Sequence, residues 1–447
     1  MNKIKIYLQT CLLLVVSITI LVLYDFILAK YSFPLTEGWW ELLARESSSK
    51  VLYKDIFIGL PPLYINFIAA LQKITSNFYH LRIIFIAIHI AEFLLITFLI
   101  RKFFSFRVAI CSALISELLI ISYNSAYLPK DYHLFLSVFV ILTLIFLVQY
   151  QEGINKYKNI IFAGIFTGII LLTKQNIGAL LFFSSLIFIA CNVKNIISFL
   201  KHSFVYIVLA IATLILYTQL NGLDWLNVFI GNDSKGSIFK VLTRFLSEEI
   251  TKLTILQLIV AYVVYVIWQS KDAIKSKYFI YIEKINPIFL INLNKYCFFL
   301  MNGYFLFLGI RISQNRDFVI AGSLIFTILI INVFLLIKYN KNKFFLVRTG
   351  AFSLVILFLC YGNSMTAGYN FVGMQVGFAF LFAIILQSLE RLNAKLFFVY
   401  GAMCLVIITN SFVKNRFVDG GNAYSWWGYS IGQVSKNTHQ YKNPYLN

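Results

Sequence analysis

Apolar runs of roughly twenty residues recur along the chain, separated by short polar turns. Runs of that length match the hydrocarbon thickness of a bilayer. They are apolar throughout rather than alternating, which predicts spanning helices and not a barrel. The expected spans lie near 7–29, 81–100, 107–124, 133–150, 160–174, 177–193, 203–220, 251–269, 296–312, 318–337, 347–362, 369–389 and 396–412. The fold class is therefore an all-α polytopic membrane protein with about thirteen transmembrane helices. A transmembrane domain over 1–412 is followed by a short outer tail, 413–447, whose "DGGNAYSWWGYSIGQ" reads as an ordered cap.

Two stretches break the rhythm. "PPLYINFIAALQKI", Pro61 to Ile74, is apolar but too short to cross, and reads as an interfacial or re-entrant helix. "SIFKVLTRFLSEEI", Ser237 to Ile250, sets Ile238, Val241, Leu242 and Phe245 on one helical face, with Lys240, Arg244 and Glu248 opposite. The first stretch belongs to a long first outer loop, 30–80, and the second to an outer loop, 221–250.

Charge fixes the expected orientation. The loops assigned to the cytoplasm carry Lys3, Lys5, Arg101, Lys102, Arg107, Lys156, Lys158, Lys194 and Lys201, and further bases beyond them. Acids on that side are only Glu152, Asp272, Glu283 and Glu390. This is the positive-inside pattern, with the N-terminus cytoplasmic. Reading Pro61–Ile74 as a span would reverse the sidedness of Arg101, Lys102 and Arg107.

Composition agrees with the pattern. The chain is 60% hydrophobic and 13% charged, with a mean hydropathy of +0.81, beyond what a soluble core accommodates. Its net charge of +20 follows from basic cytoplasmic loops. No basic stripe with interleaved aromatics stands outside the spans, so nucleic acid is not an expected partner. The six cysteines sit within apolar runs without metal spacing and read as small hydrophobes. Phosphate-cradling glycine motifs, a nucleophile series and zinc-binding spacings do not appear. The expected substrates are ones the membrane supplies.

Candidate chemistry gathers on the outer face. The first loop, "PLTEGWWELLARESSSKVLYKDIFIGLPPLY", holds Glu37, Glu41, Glu46 and Asp55. "SAYLPKDYH" holds Lys130, Asp131 and His133 in a tight turn between the third and fourth expected spans. Two carboxylates meeting over a lipid headgroup could supply a general base and hold a substrate or a divalent ion. Glu37 stands out because Trp39 beside it could wall a sugar, and Asp131 because its turn is so short. Lys174 and Gln175, in "LLTKQNIGALL", lie at the outer end of the fifth expected span, where a buried ammonium suits a phosphate or diphosphate. Arg316 is a weaker version of the same idea.

Glu92 and Glu117 lie inside spans, equidistant in sequence from the turn between them, and so at one depth on antiparallel helices. His89 is one turn from Glu92. Two readings fit: a proton relay, or a protonated interhelical hydrogen bond.

The run "P-x-TEGWW…VLYKDIF…PPLY" followed by "LTKQN" resembles bacterial members of the GT-C glycosyltransferase superfamily encoded with surface polysaccharides. That superfamily includes protein O-mannosyltransferases and the aminoarabinose transferase of lipid A. The resemblance covers Met1 to about Asn176. It implies a GT-C-like fold with surface helices in the first outer loop. It also implies a sugar donor on polyprenyl phosphate, used on the non-cytoplasmic face of the bacterial inner membrane. Carried over, Glu37 matches the first-loop acid, Asp55 the acid before the Pro-Pro motif and Asp131 the second-loop acid, and Lys174 would contact the donor phosphate. Lys130, His133, Gln175, Trp39 and Arg316 complete the expected substrate-binding set. Glu37 and Asp131 are also where a divalent cation, Mg²⁺ or Mn²⁺, would bind. Thr36-Glu37 stands where many members have paired acids, which weakens the case for a directly bound metal.

The expected function is transfer of a sugar to a lipid-linked glycan or other acceptor in surface-polysaccharide synthesis. The partners are the lipid-linked donor, a glycan or glycolipid acceptor and membrane lipids. The alternatives are a polysaccharide polymerase and a proton-coupled lipid-glycan flippase. The orientation is checked by reporters active only outside the cytoplasm: a fusion at Ser49 should be active and one at Asn155 silent.

Overall fold

The computed structural model describes residues 2–224 apart from 32–34, 51, 54, 57–60, 76, 124–131 and 194–195, together with Val355 and 374–390. Its elements are helices, relieved by one isolated bridge between Leu52 and Ile56. In chain order they are α1 (Asn2–Tyr31), α2 (Leu35–Glu46), α3 (Leu63–Ile74), α4 (Phe78–Arg101), α5 (Phe106–Tyr123), α6 (Tyr132–Gln151), α7 (Lys156–Leu171), α8 (Gln175–Cys191), α9 (Ile196–Leu220) and α10 (Met374–Glu390).

Four of these are long and apolar enough to cross a membrane: Tyr7–Phe26, His80–Arg101, Tyr132–Gln151 and Ile197–Leu220. Helices α5, α7 and α8 occupy the third, fifth and sixth expected spans at 18, 16 and 17 residues. Of the later expected spans, α10 overlaps the one at 369–389 and Val355 belongs to the one at 347–362; the rest of them, residues 225–250 of the outer loop with its amphipathic helix and the tail lie outside the described residues. Helices α2 and α3, of 12 residues each, rise only about 18 Å and cannot span the roughly 30 Å of hydrocarbon. The chain is thus a multi-pass membrane protein whose first two crossings are separated by two short helices.

The helix ends sort into two groups. At one end, Arg107 at the start of α5 donates to Thr10 and Gln9 of α1, each at 3.2 Å, so α1 and α5 run parallel. There too Lys102, just after α4, pairs with Glu152, just after α6, at 3.0 Å. At the other end lie α2, α3, the start of α6 and the α7–α8 break. The main core joins α1, α4, α5, α6 and α10 through residues such as Leu21, Phe93, Leu114, Val140 and Phe380, and Cys111 is buried in it. Helices α1 and α9 leave Leu12, Leu23, Phe204 and Leu216 uncovered, the surface a lipid-facing helix presents.

Close approach of α7 and α9 depends on "GIFTG". A side-chain carbon at Gly164 would come within 2.8 Å of the Tyr206 carbonyl oxygen. At Gly168 it would meet Thr213 Cβ at 2.6 Å and the Ala210 carbonyl oxygen at 2.7 Å. Small residues four apart let helix backbones touch where lipid gives no hydrophobic drive to associate. The seam is closed by a hydrogen bond of 2.9 Å between the Thr167 and Tyr206 hydroxyls. Gly168→Leu should destabilise the detergent-solubilised protein by about 1–3 kcal/mol or more, read as a lowered unfolding midpoint. Phe183→Leu, on an exposed position of α8, should leave the midpoint unchanged.

Candidate active site

Leu63 opens α3, and its backbone N–H has no partner within its own helix. It donates instead to the Leu172 carbonyl oxygen at 3.1 Å, in the break between α7 and α8. The "PPLY" and "LTKQN" segments are thereby pinned together. Tyr53, Leu63, Tyr217 and Leu223 pack around Leu172 and Leu214 at this joint, and Asn66 Nδ2 donates to the Tyr217 hydroxyl at 2.8 Å.

A second cluster stands beside the joint. Trp40 of α2, Tyr64 of α3, Phe85 of α4 and Leu134 and Phe135 of α6 are buried together. Trp40 meets Tyr64 edge-on at 5.2 Å and Tyr132 at 5.3 Å, and Tyr64 lies 6.1 Å from Tyr132. Phe67 stacks on Phe135 at 4.6 Å. Such edge-to-face pairs add to the area each ring buries.

Lys174 forms the N-cap of α8 and is buried rather than snorkelling. Its Nζ donates to the Tyr132 hydroxyl at 3.2 Å and lies 5.3 Å from the Tyr132 ring centroid. Tyr132 therefore links the ammonium to the aromatic cluster. Arg82 of α4 is also buried, one turn before Phe85 on the same helical face.

The other expected residues fall as follows. Glu37 and Trp39 lie in the first half of α2. Gln175 is the first residue of α8 and half-buried, and His133 is buried in the first turn of α6 beside Tyr132. Asp55 is exposed, in a turn that the Tyr53 N–H closes on the Ile56 carbonyl oxygen at 2.8 Å. Tyr53 holds φ at 67°, a conformation that costs a non-glycine residue strain. Burial pushes its phenol pKa above the usual range. Glu46 pairs with the exposed Lys50 and, through that hydrogen bond and its charge, raises the ammonium pKa. Lys130, Asp131 and Arg316 lie outside the described residues.

Residues 60–220 match the family model of dolichyl-phosphate-mannose-protein mannosyltransferases. The match takes in α3 to α9, hence the joint, Tyr132 and Lys174. No curated protein matches the chain. The matched family is of the GT-C superfamily, in agreement with the resemblance read from the motifs, and supports a membrane glycosyltransferase of that type.

Below the aromatic cluster lies a buried polar group. The same face of α4 that carries Phe85 presents His89 one turn on and Glu92 after it, so the two layers are about 6 Å apart along the helix. His89 Nδ1 donates to Asp25 Oδ2 of α1 at 2.7 Å, and Nε2 lies 3.2 Å from Glu117 Oε2 of α5. Glu92 accepts from the Ser137 hydroxyl and, at 3.1 Å, from Gln375 Nε2. The structure thus brings Glu92 and Glu117 to one depth, with the imidazole against Glu117 in place of a direct carboxyl-to-carboxyl hydrogen bond.

Sequence reading missed Tyr132, Trp40, Tyr64, Arg82, Asp25 and Gln375 as members of these sites. For Asp25 and Arg82 a signal existed, since each is a charge within or at the head of an apolar run. Trp40→Ala should cost about 3–5 kcal/mol by emptying the centre of the aromatic cluster. Tyr132→Phe keeps the ring but removes an acceptor of the buried Lys174 ammonium, so it should cost less than Trp40→Ala, about 1–3 kcal/mol, read as a smaller drop in the unfolding midpoint.

Proposed function

We propose that the chain transfers a sugar from a polyprenyl-phosphate-linked donor to a lipid-linked glycan or other acceptor. The reaction takes place on the non-cytoplasmic face of a bacterial inner membrane, in surface-polysaccharide synthesis. The observation that carries this reading is the meeting of four separated segments, "GWW", "PPLY", "DYH" and "LTKQN", around Tyr132 and Lys174. The family match over the same region adds to it, because that family is named for a lipid-phosphate-linked sugar donor.

In the mechanism, Glu37 or Asp131 deprotonates an acceptor hydroxyl. The hydroxyl oxygen attacks the anomeric carbon, and the bond from that carbon to the phosphate oxygen breaks, most simply with inversion. The electron pair leaves on the polyprenyl phosphate. Lys174 stabilises the charge released there, from a setting where few waters screen it. Its hydrogen bond to Tyr132 holds the ammonium towards the aromatic wall. Trp39, Gln175, Lys130, His133 and Arg316 serve donor and acceptor binding, and Asp55 is a second acid of the first loop. If a divalent cation takes part, Glu37 and Asp131 are its carboxylates.

Transfer of a radiolabelled sugar in membranes tests this. Glu37→Gln or Asp131→Asn should abolish transfer with unchanged protein in the membrane, and Lys174→Met should lower it about a hundredfold. Full activity in both carboxylate variants contradicts the assignment.

A further inference from the structure

Asp25, His89, Glu92 and Glu117 come from α1, α4 and α5, and all four are buried. The contact of His89 Nδ1 with Asp25 orients the imidazole and turns Nε2 towards Glu117. Nε2 lies 3.2 Å from Glu117 Oε2. Glu92 Oε1 is held by Ser137 and Gln375. Glu92 Oε2 and Glu117 Oε1 are buried without a hydrogen-bond partner among the described residues. One ligand atom from each of His89, Glu92 and Glu117 lies within 4.8 Å of the others.

We propose that His89, Glu92 and Glu117 form a site for a divalent transition-metal ion of the Zn²⁺ or Mn²⁺ class. With all three carboxyls ionised the group would carry net negative charge in the bundle interior even beside a protonated imidazole, and a divalent cation would offset it. Bonds of about 2.0–2.2 Å set neighbouring ligand atoms roughly 3.0–3.5 Å apart, which brackets the His89–Glu117 separation. Imidazole with two carboxylates suits Zn²⁺ or Mn²⁺ better than the all-oxygen shells of Ca²⁺ and Mg²⁺. The supporting contacts are those a metal site needs: Asp25 orients the imidazole, and Ser137 and Gln375 orient Glu92. The ion would tie α4 to α5 directly, with α1, α6 and α10 held through these contacts. This site is separate from Lys174 and does not rest on the transferase reading.

The test is metal retention by the full chain in detergent. The protein is stripped with EDTA, incubated with Zn²⁺ or Mn²⁺, desalted and analysed by mass spectrometry for metal. The unaltered chain should keep about one equivalent of one of the two ions, while His89→Ala and Glu117→Gln keep less than a tenth. Asp25→Asn should weaken affinity about 10–100-fold. The unfolding midpoint of the unaltered chain should rise on loading, a readout that requires no variant to fold. Retention below a tenth of an equivalent with no rise in midpoint overturns the site and leaves protons as the balancing charge. Equal retention by the unaltered chain and His89→Ala overturns it as well.

Discussion

One backbone hydrogen bond ties one end of the molecule together, that from the Leu63 N–H to the Leu172 carbonyl oxygen. A helix start has donors with no partner of their own, and a helix end has acceptors in the same position. Away from water such groups must find one another. Here the start of α3 and the break after α7 satisfy each other, so a first-loop helix is fixed against a distant turn. From that joint follow the seat of Tyr64, the neighbouring positions of Tyr132 and Trp40, and the setting of Lys174 at the head of α8.

The layering of the bundle has a common cause. Along one face of α4, Arg82, Phe85, His89 and Glu92 follow at three- and four-residue steps, the spacing that keeps a stripe turned towards neighbouring helices. That stripe first meets rings, then carboxylates. Charged and polar groups at membrane depth persist only when they find partners in the bundle interior. The hydrogen bonds of Asp25, Ser137 and Gln375 to His89 and Glu92 meet part of that requirement, and Glu92 Oε2 and Glu117 Oε1 are left without a partner among the described residues. The aromatic layer around Trp40, Tyr64 and Phe85 lies between this group and the region around Lys174.

Much of this was legible in the sequence. Run lengths gave the helices through Leu220, and the shortness of "PPLYINFIAALQKI" gave a helix that does not cross. Equal distance from one turn placed Glu92 and Glu117 at one depth. The motifs also led to the superfamily that the 60–220 match supports. Partners distant in sequence were not legible. Asp25 meets His89 across 64 positions and Gln375 meets Glu92 across 283, and nothing local marks either pair. Tyr132 is one of 27 tyrosines, so no local feature told it apart from the others. Of the paired tryptophans, Trp39 drew attention through its nearness to Glu37, yet it is Trp40 that centres the aromatic cluster.

The chemistry proposed at this end of the bundle is open to direct observation in cells. The gene is deleted, the glycolipids and surface polysaccharide are analysed by mass spectrometry, and the unaltered gene is then restored. A transferase acting on a lipid-linked donor predicts loss of a single sugar from an otherwise intact glycan, recovered on restoration. Collapse of the glycan to single repeat units would instead indicate a polymerase, and an unchanged sugar composition would contradict the account.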